Sequence, residues 1–362
     1  MRKARWLAPW KDSHVKPIVY HLVSRVVDRR FVFGDGEREH FRMLMRMVEN
    51  FSGCRVLSYC IMSNHFHILL EVPPMPEEGL TDAVFEKRLL ATQTEAGVAV
   101  VMTRLATARA ENREDEVKAI FESYTYRMHD LSEFMKSLLQ RFTRWFNRTH
   151  QRTGTLWEER FKSVIVEGGV ASKTIAAYID LNPVRAGMVS DPADYRWSSY
   201  GEAIGGGAKG NGKKARAGLV RALRAHLGAG ADAELWANGV SQEYRRLLLM
   251  GGVEKFESRV STSGVIETTR KRKGMNQEEA AKETKLAGEI PLGKMLRCRI
   301  RYFTDGAVIG SREFVNEAFG NARERFGGKR KDGARKLKGA AGSASGVLWS
   351  LRDLQKDVAP AG

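Results

Sequence analysis

The run Pro17-Ile-Val-Tyr-His-Leu-Val-Ser24 is rich in β-branched and aromatic residues and reads as a first strand. A basic run from Arg25 to Arg30 follows, and then a turn at Gly34-Asp-Gly36. From Glu37 to Phe51 the apolar positions shift to helical spacing, with Phe41, Leu44, Met45 and Val48 on one side. Cys54 to Met62 reads as a second strand. Along Ile61 to Pro73, period two puts His65 and His67 on one face and Phe66, Ile68 and Leu70 on the other. Ser63-Asn64 supplies the tight turn that makes these two strands an antiparallel hairpin. Strand, helix, strand, strand is the first half of a ferredoxin-like (RRM-like) α+β unit, an antiparallel sheet with helices on one face.

Residues 74–128 interrupt that unit. Prolines at 73, 74 and 76 and Gly79 end the strand, and the Glu-, Arg- and Ala-rich remainder predicts a helical insertion whose role is not legible. Asp130 to Arg152 is the clearest helix, with Phe134, Leu138, Phe142, Trp145 and Phe146 as its apolar stripe. Arg141, Arg144 and Arg148 form a basic ridge beside that stripe, serving as a solvated face or as phosphate contacts. Phe161 to Val166 suits a fourth strand, with Trp157, Arg160 and Lys162 near its start. An exposed Trp beside two cations can stack a base, whereas a buried one is ordinary core. Ser172 is an N-cap for a helix on which Tyr178 and Asn182 share a face, and Pro183 ends or kinks it at Asn182.

The remaining layout is read from composition. Residues 1–205 form one domain, 206–214 a Gly-rich linker, 215–327 an accessory unit, mainly helical, and 328–362 a basic Gly/Ala-rich tail. Within the accessory unit, Leu219 to Leu227 and Gln242 to Met250 suit short amphipathic helices. Thr268 to Lys273 is a charged, exposed run, and Arg297 to Phe303 a basic-faced strand or helix edge. Ser311 would cap a helix running to about Phe326. Nucleic-acid grip and a merely solvated extension are both open for this part.

Charge narrows the class of partner. The 362 residues carry a formal net charge of +17 and a sequence pI near 9.9, which most often marks a polyanion, nucleic acid above all. No run approaches the roughly 18 apolar residues of a membrane span, and no lipidation motif or signal segment is present. The three cysteines make neither a disulfide framework nor a Cys-x-x-Cys zinc site. A reduced, cytoplasmic protein without a membrane partner is expected.

Two imidazoles on one strand face can grip a divalent ion or a phosphate, although most such pairs are ordinary surface or core histidines. A lone helical Tyr is likewise usually packing. The order of several blocks changes the weighing. Tyr20-His-Leu-Val-Ser-Arg25, the His65-Phe-His67 strand, Gly154-Thr-Leu-Trp157, Arg160-Phe-Lys-Ser163, Tyr178-Ile-Asp-Leu-Asn-Pro-Val-Arg-Ala-Gly187 and Trp197-Ser-Ser-Tyr200 occur in that sequence. Together they resemble the single-tyrosine HUH transposases, in the branch of REP-associated tyrosine transposases. The resemblance spans about residues 15–205, with 74–128 as an insertion.

What the resemblance implies is a ferredoxin-like palm that cuts and rejoins single-stranded DNA near hairpin or palindromic elements. It implies Mg²⁺ or Mn²⁺ held by His65 and His67, Tyr178 as nucleophile, and a 5′-phosphotyrosine intermediate. Asn182 matches the residue thought to complete the metal shell, where the wider family more often has Gln. Arg25, Arg141, Arg144, Arg148, Trp157, Arg160, Lys162 and Arg185 are the candidate DNA contacts. A His-x-His-x-His nucleotidyl hydrolase would need a third His where Leu69 stands. A cupin-like oxygenase could use Glu71 but leaves the ordered blocks without a place. A DNA- or RNA-binding protein that has lost the chemistry stays open as the alternative, as does a homodimer in which Tyr178 serves the partner's site.

Overall fold

The period-two strand and the helical stripe find each other as their apolar faces require. In the computed structural model, β1 (Ile18–Arg25), β2 (Arg55–Ile61) and β3 (His65–Val72) pair antiparallel, and β4 (Lys162–Val166) joins the free side of β1. The resulting order β2-β3-β1-β4 is the expected ferredoxin-like core. The structure describes residues 7–11, 16–205, 212–224, 236–252, 255–260, 266–272, 278, 301–304, 306–326, 328, 330–337 and 348–351.

Helix α1 (Asp35–Ser52) lies on the face that Phe66 presents, with the Phe41 and Phe66 rings 4.6 Å apart. It stops at Gly53, whose φ of 73° is left-handed; a Cβ there would also meet the Arg88 guanidinium at 2.5 Å. Residues 82–125 form the predicted insertion as α2 (Asp82–Leu89), α3 (Glu95–Ala110) and α4 (Glu114–Thr125). Their small core of Phe85, Leu89, Val98 and Met128 is tied to α1 through Phe51. The long α5 (Leu131–Thr149) is capped by the Asp130 carboxylate and packs beside α1 on the same face of the sheet.

The opposite face is covered as well, by helices that follow β4. These are α6 (Val170–Asp180), α7 (Asn182–Ala186), α8 (Ser199–Gly205) and α9 (Lys213–Leu223). Buried Ala171, Ala176 and Ala177 bring α6 close to the strands, and Gly218 lets α9 touch β2. A Cβ on Gly218 would fall 2.4 Å from the Val56 carbonyl oxygen. The buried Asp180 carboxylate accepts from the Tyr200 N–H (2.9 Å) and from the Tyr244 hydroxyl (2.6 Å). It thereby caps α8 and anchors α10 (Ser241–Gly252), which explains why the Tyr178 and Trp197 blocks occur together.

Two differences from the sequence reading concern the C-terminal part. The sheet has seven strands, because β7 (Val308–Gly310) runs parallel to β4, and β9 (Trp349–Leu351) and β8 (Arg335–Lys336) follow outward. Residues assigned to a helical unit and a tail therefore continue the palm's own sheet. The physical reason is the open edge of β4, whose amides are met by the Ala307 carbonyl at 2.8 Å and the Ile309 carbonyl at 2.9 Å. In addition, β5 (Lys255–Val260) and β6 (Ile266–Arg272) form a hairpin where a charged, exposed run was expected.

The remaining expectations there hold in part. The Ser311 hydroxyl caps α12 (Arg312–Gly320), which ends short of Phe326 in a 3-10 turn. The short α11 (Arg301–Thr304) overlaps the end of the Arg297–Phe303 stretch, and residues 206–211 and 297–300 fall outside the described residues. No helix among the described residues is long and apolar enough to cross a membrane.

Candidate active site

Strand register decides which side chains share a face. His67 stands opposite Cys60 on one side and Val23 on the other, and Val23 stands opposite Lys162. His65 stands opposite Arg25. His21, two residues before Val23 on β1, therefore faces the same side as His67. The His65 and His67 rings have centroids 5.1 Å apart, and His67 is only 3% exposed. Helix α6 brings Tyr178 edge-on to His67 at 5.7 Å and to His21 at 6.0 Å. The Arg185 guanidinium lies 5.0 Å over the Tyr178 ring, and the Phe303 ring packs against it at 4.9 Å. Tyr178 is 2% exposed.

The histidines are held neutral. Burial pushes His65 down to about 4, with the Arg25 charge acting in the same direction. Burial lowers His21 to about 4, partly offset by its bond to the Phe303 carbonyl. His67 is driven well down by burial and by the neighbouring His65, His21 and Arg25. Neutral imidazoles are what a metal takes.

Their tautomers follow from their partners. Asn64 donates from Nδ2 to the Arg29 carbonyl at 2.9 Å, which turns its Oδ1 to His65 Nδ1 at 2.7 Å. His65 thus carries its proton on Nδ1 and its lone pair on Nε2. Asn182 donates from Nδ2 to the carbonyls of Tyr178 (3.1 Å) and Ile179 (3.2 Å), which directs its amide oxygen elsewhere. Among the described residues there is no cluster of three or more His, Cys, Asp or Glu side chains fit to hold a metal. Glu71 shares the histidine face, but Arg55 (2.6 Å) and Arg221 (2.8 Å) occupy its carboxylate.

The basic candidates divide between the two faces. Arg25 is exposed opposite His65, Lys162 is exposed in the row of His67, and Arg185 lies over Tyr178. Arg160 is exposed in the turn before β4. Arg141, Arg144 and Arg148 ride on α5, against the opposite face, so they are not brought to the histidines. Trp157 is partly buried. Its ring packs on Phe66 at 5.7 Å and on Phe142 at 6.0 Å, and its N–H donates to the Thr143 hydroxyl at 2.9 Å. Its N–H is committed to Thr143 and part of its ring to the aromatic core, while the rest of the indole stays partly exposed. The sequence reading missed His21 and Phe303. Only the register with β3 gives His21 its direction, and Phe303 is 282 residues away in the chain.

Residues 14–78 match a family model described as "Transposase IS200 like". Among solved structures the chain is similar to a REP-associated tyrosine transposase bound to a REP hairpin. That similarity has 12% identity over 57% of this chain and 86% of the other, with a TM-score of 0.35. No curated protein matches the chain. The family match covers β1, α1, β2 and all of β3, with both histidines.

Proposed function

We propose that the protein is a metal-dependent, single-tyrosine nuclease and strand transferase acting on single-stranded DNA with hairpin structure. The observation that carries this reading is Tyr178 standing 5.7 Å from His67 within one chain. His65, His67 and the amide oxygen of Asn182 would hold Mg²⁺ or Mn²⁺, which when bound polarises the scissile phosphate. Tyr178 attacks the phosphorus through its hydroxyl oxygen as the bond from phosphorus to the 3′ oxygen breaks. The phenol proton leaves and the 3′ oxygen takes one up, so the products are a 5′-phosphotyrosine and a free 3′-OH. An ordinary phenol has a pKa near 10, so the Tyr178 hydroxyl needs an acceptor for its proton as it attacks. Arg25 and Lys162 neutralise flanking phosphates. The aryl phosphodiester keeps the energy of the broken bond, so a 3′-OH can reverse the step and rejoin.

One observation favours a second reading, a DNA-binding protein without cleavage: Tyr178 is 2% exposed beneath Phe303. Labelled hairpin DNA incubated with the protein and Mg²⁺, then run on a denaturing gel, separates the two. A covalent adduct that disappears in Tyr178→Phe and in His65→Ala/His67→Ala is the expected result. An adduct that survives Tyr178→Phe moves the nucleophile elsewhere. Tight, metal-independent binding without any adduct supports the second reading.

A further inference from the structure

His67 cannot hold its own tautomer. His65 has a local lock in its neighbour Asn64, whereas the partner of His67 Nδ1 is another imidazole, His21 Nε2, at 3.0 Å. Two imidazoles in contact leave the direction of the bond undecided unless a third group decides it. That group is the main-chain carbonyl of Phe303, 2.7 Å from His21 Nδ1. A carbonyl oxygen only accepts, so His21 Nδ1 carries hydrogen. A neutral imidazole has a single N–H, and His21 is wholly buried, so its Nε2 holds a lone pair. That lone pair can only accept, which makes His67 Nδ1 the donor. The remaining nitrogen of His67, Nε2, is left bare.

We infer that His21 is a positioning residue that reads the Phe303 carbonyl and fixes His67 in the tautomer with Nε2 free to bind the metal. The inference rests on the metal-dependent reading above. It explains why two histidines stack on one sheet face, with ring centroids 5.2 Å apart and 16° between their planes. A stack of this kind with no carbonyl at its end would populate both tautomers, one of which points N–H at the ion. Outer partners of this type commonly change metal affinity by about 10–100-fold. The geometry also makes the C-terminal part of the chain a component of the site. Phe303 offers its carbonyl to the histidine relay and its ring to Tyr178.

Three substitutions separate the relay from plain packing. His21→Phe removes both bonds. His21→Asn keeps a donor for the Phe303 carbonyl but does not reach His67. His21→Gln carries an acceptor to the position of Nε2. Long-range ¹H–¹⁵N correlation spectra of the metal-free full chain at pH 7 report the tautomer of His67. Titration with Mn²⁺, followed by the signal of the free ion, reports affinity, and thermal unfolding verifies that each variant is folded.

The expected result is His67 protonated on Nδ1 in the wild type and in His21→Gln. It shifts to Nε2–H in His21→Asn, and in His21→Phe where that variant folds, with Mn²⁺ binding at least about tenfold weaker. An unchanged His67 tautomer in His21→Asn overturns the inference whatever happens to stability. A tautomer shift in a protein whose wild type takes up no Mn²⁺ upholds the relay and overturns the metal reading instead.

Discussion

The two faces of the central sheet use the same strands in opposite ways. On the face under α1 and α5, Phe33, Phe41, Phe66, Phe142 and Trp157 fill the space ring against ring. On the face under α6 and α9, the strands present His21, His67 and Glu71, all buried and all with a polar partner. Alternation along a single strand, Phe66 then His67, switches between these regimes in one residue. The aromatic face carries stability through area removed from water. The polar face carries the candidate site, and the cost of burying His21, His67 and Glu71 is contained because each has a polar partner.

If this division is right, substitutions on the two faces separate stability from binding. Phe66→Ala should have the largest effect on folding, about 3–5 kcal/mol by denaturant titration, with Mn²⁺ affinity of the folded fraction unchanged. Under the same conditions His67→Ala should abolish Mn²⁺ uptake at a smaller cost in stability. A His67→Ala protein that still binds the ion would place the metal elsewhere. Glu71→Ala leaves Arg221 without its carboxylate in a largely buried setting and should cost about 3 kcal/mol. Its adduct formation, measured well below the melting temperature, should persist, since Glu71 is a structural anchor rather than a ligand.

Acid should act through the polar face. The folded pKa of His21, about 4, lies below its unfolded value of 6.5, so the native state binds fewer protons between those values. The stability it contributes is present above pH 6.5 and is lost as pH falls through 4. Between pH 7 and pH 5 this amounts to about 2 kcal/mol for the metal-free protein, and His21→Gln should unfold with a shallower pH dependence. The smallest effects belong to the surface cations. Arg25→Ala and Lys162→Ala should each reduce the salt slope of hairpin DNA affinity by about 1. Arg144→Ala and Arg148→Ala, on the far side of the sheet, should leave it unchanged. The reverse pattern would put the DNA path across α5.

What could be read from the chain follows the same division. β-Branched and aromatic composition in β1, period two in β3, helical spacing in α1 and α5, and the break at Pro183 are local signals, and each became the element expected. The sides taken by His65 and His67 follow from alternation alone. Trp157 was not legible, because whether an indole is core or platform depends on rings contributed by α1, β3 and α5. Nor were β7 to β9, which are two or three residues long and show no period. His21 sat within a recognised block, but its role needs a register and a carbonyl that only the folded chain supplies.

The bond between His21 and Phe303 also sets an order in time. The ribosome delivers one partner 282 residues before the other. At about 5–20 residues per second, that delay is roughly 14–56 s, long enough for the first three strands and α1 to fold unaided. During that interval the nascent palm has His65 and His67 but not the carbonyl bonded to His21. A site assembled in this order is completed only after Phe303 has been made, and a product truncated before it would hold the first strands without that carbonyl.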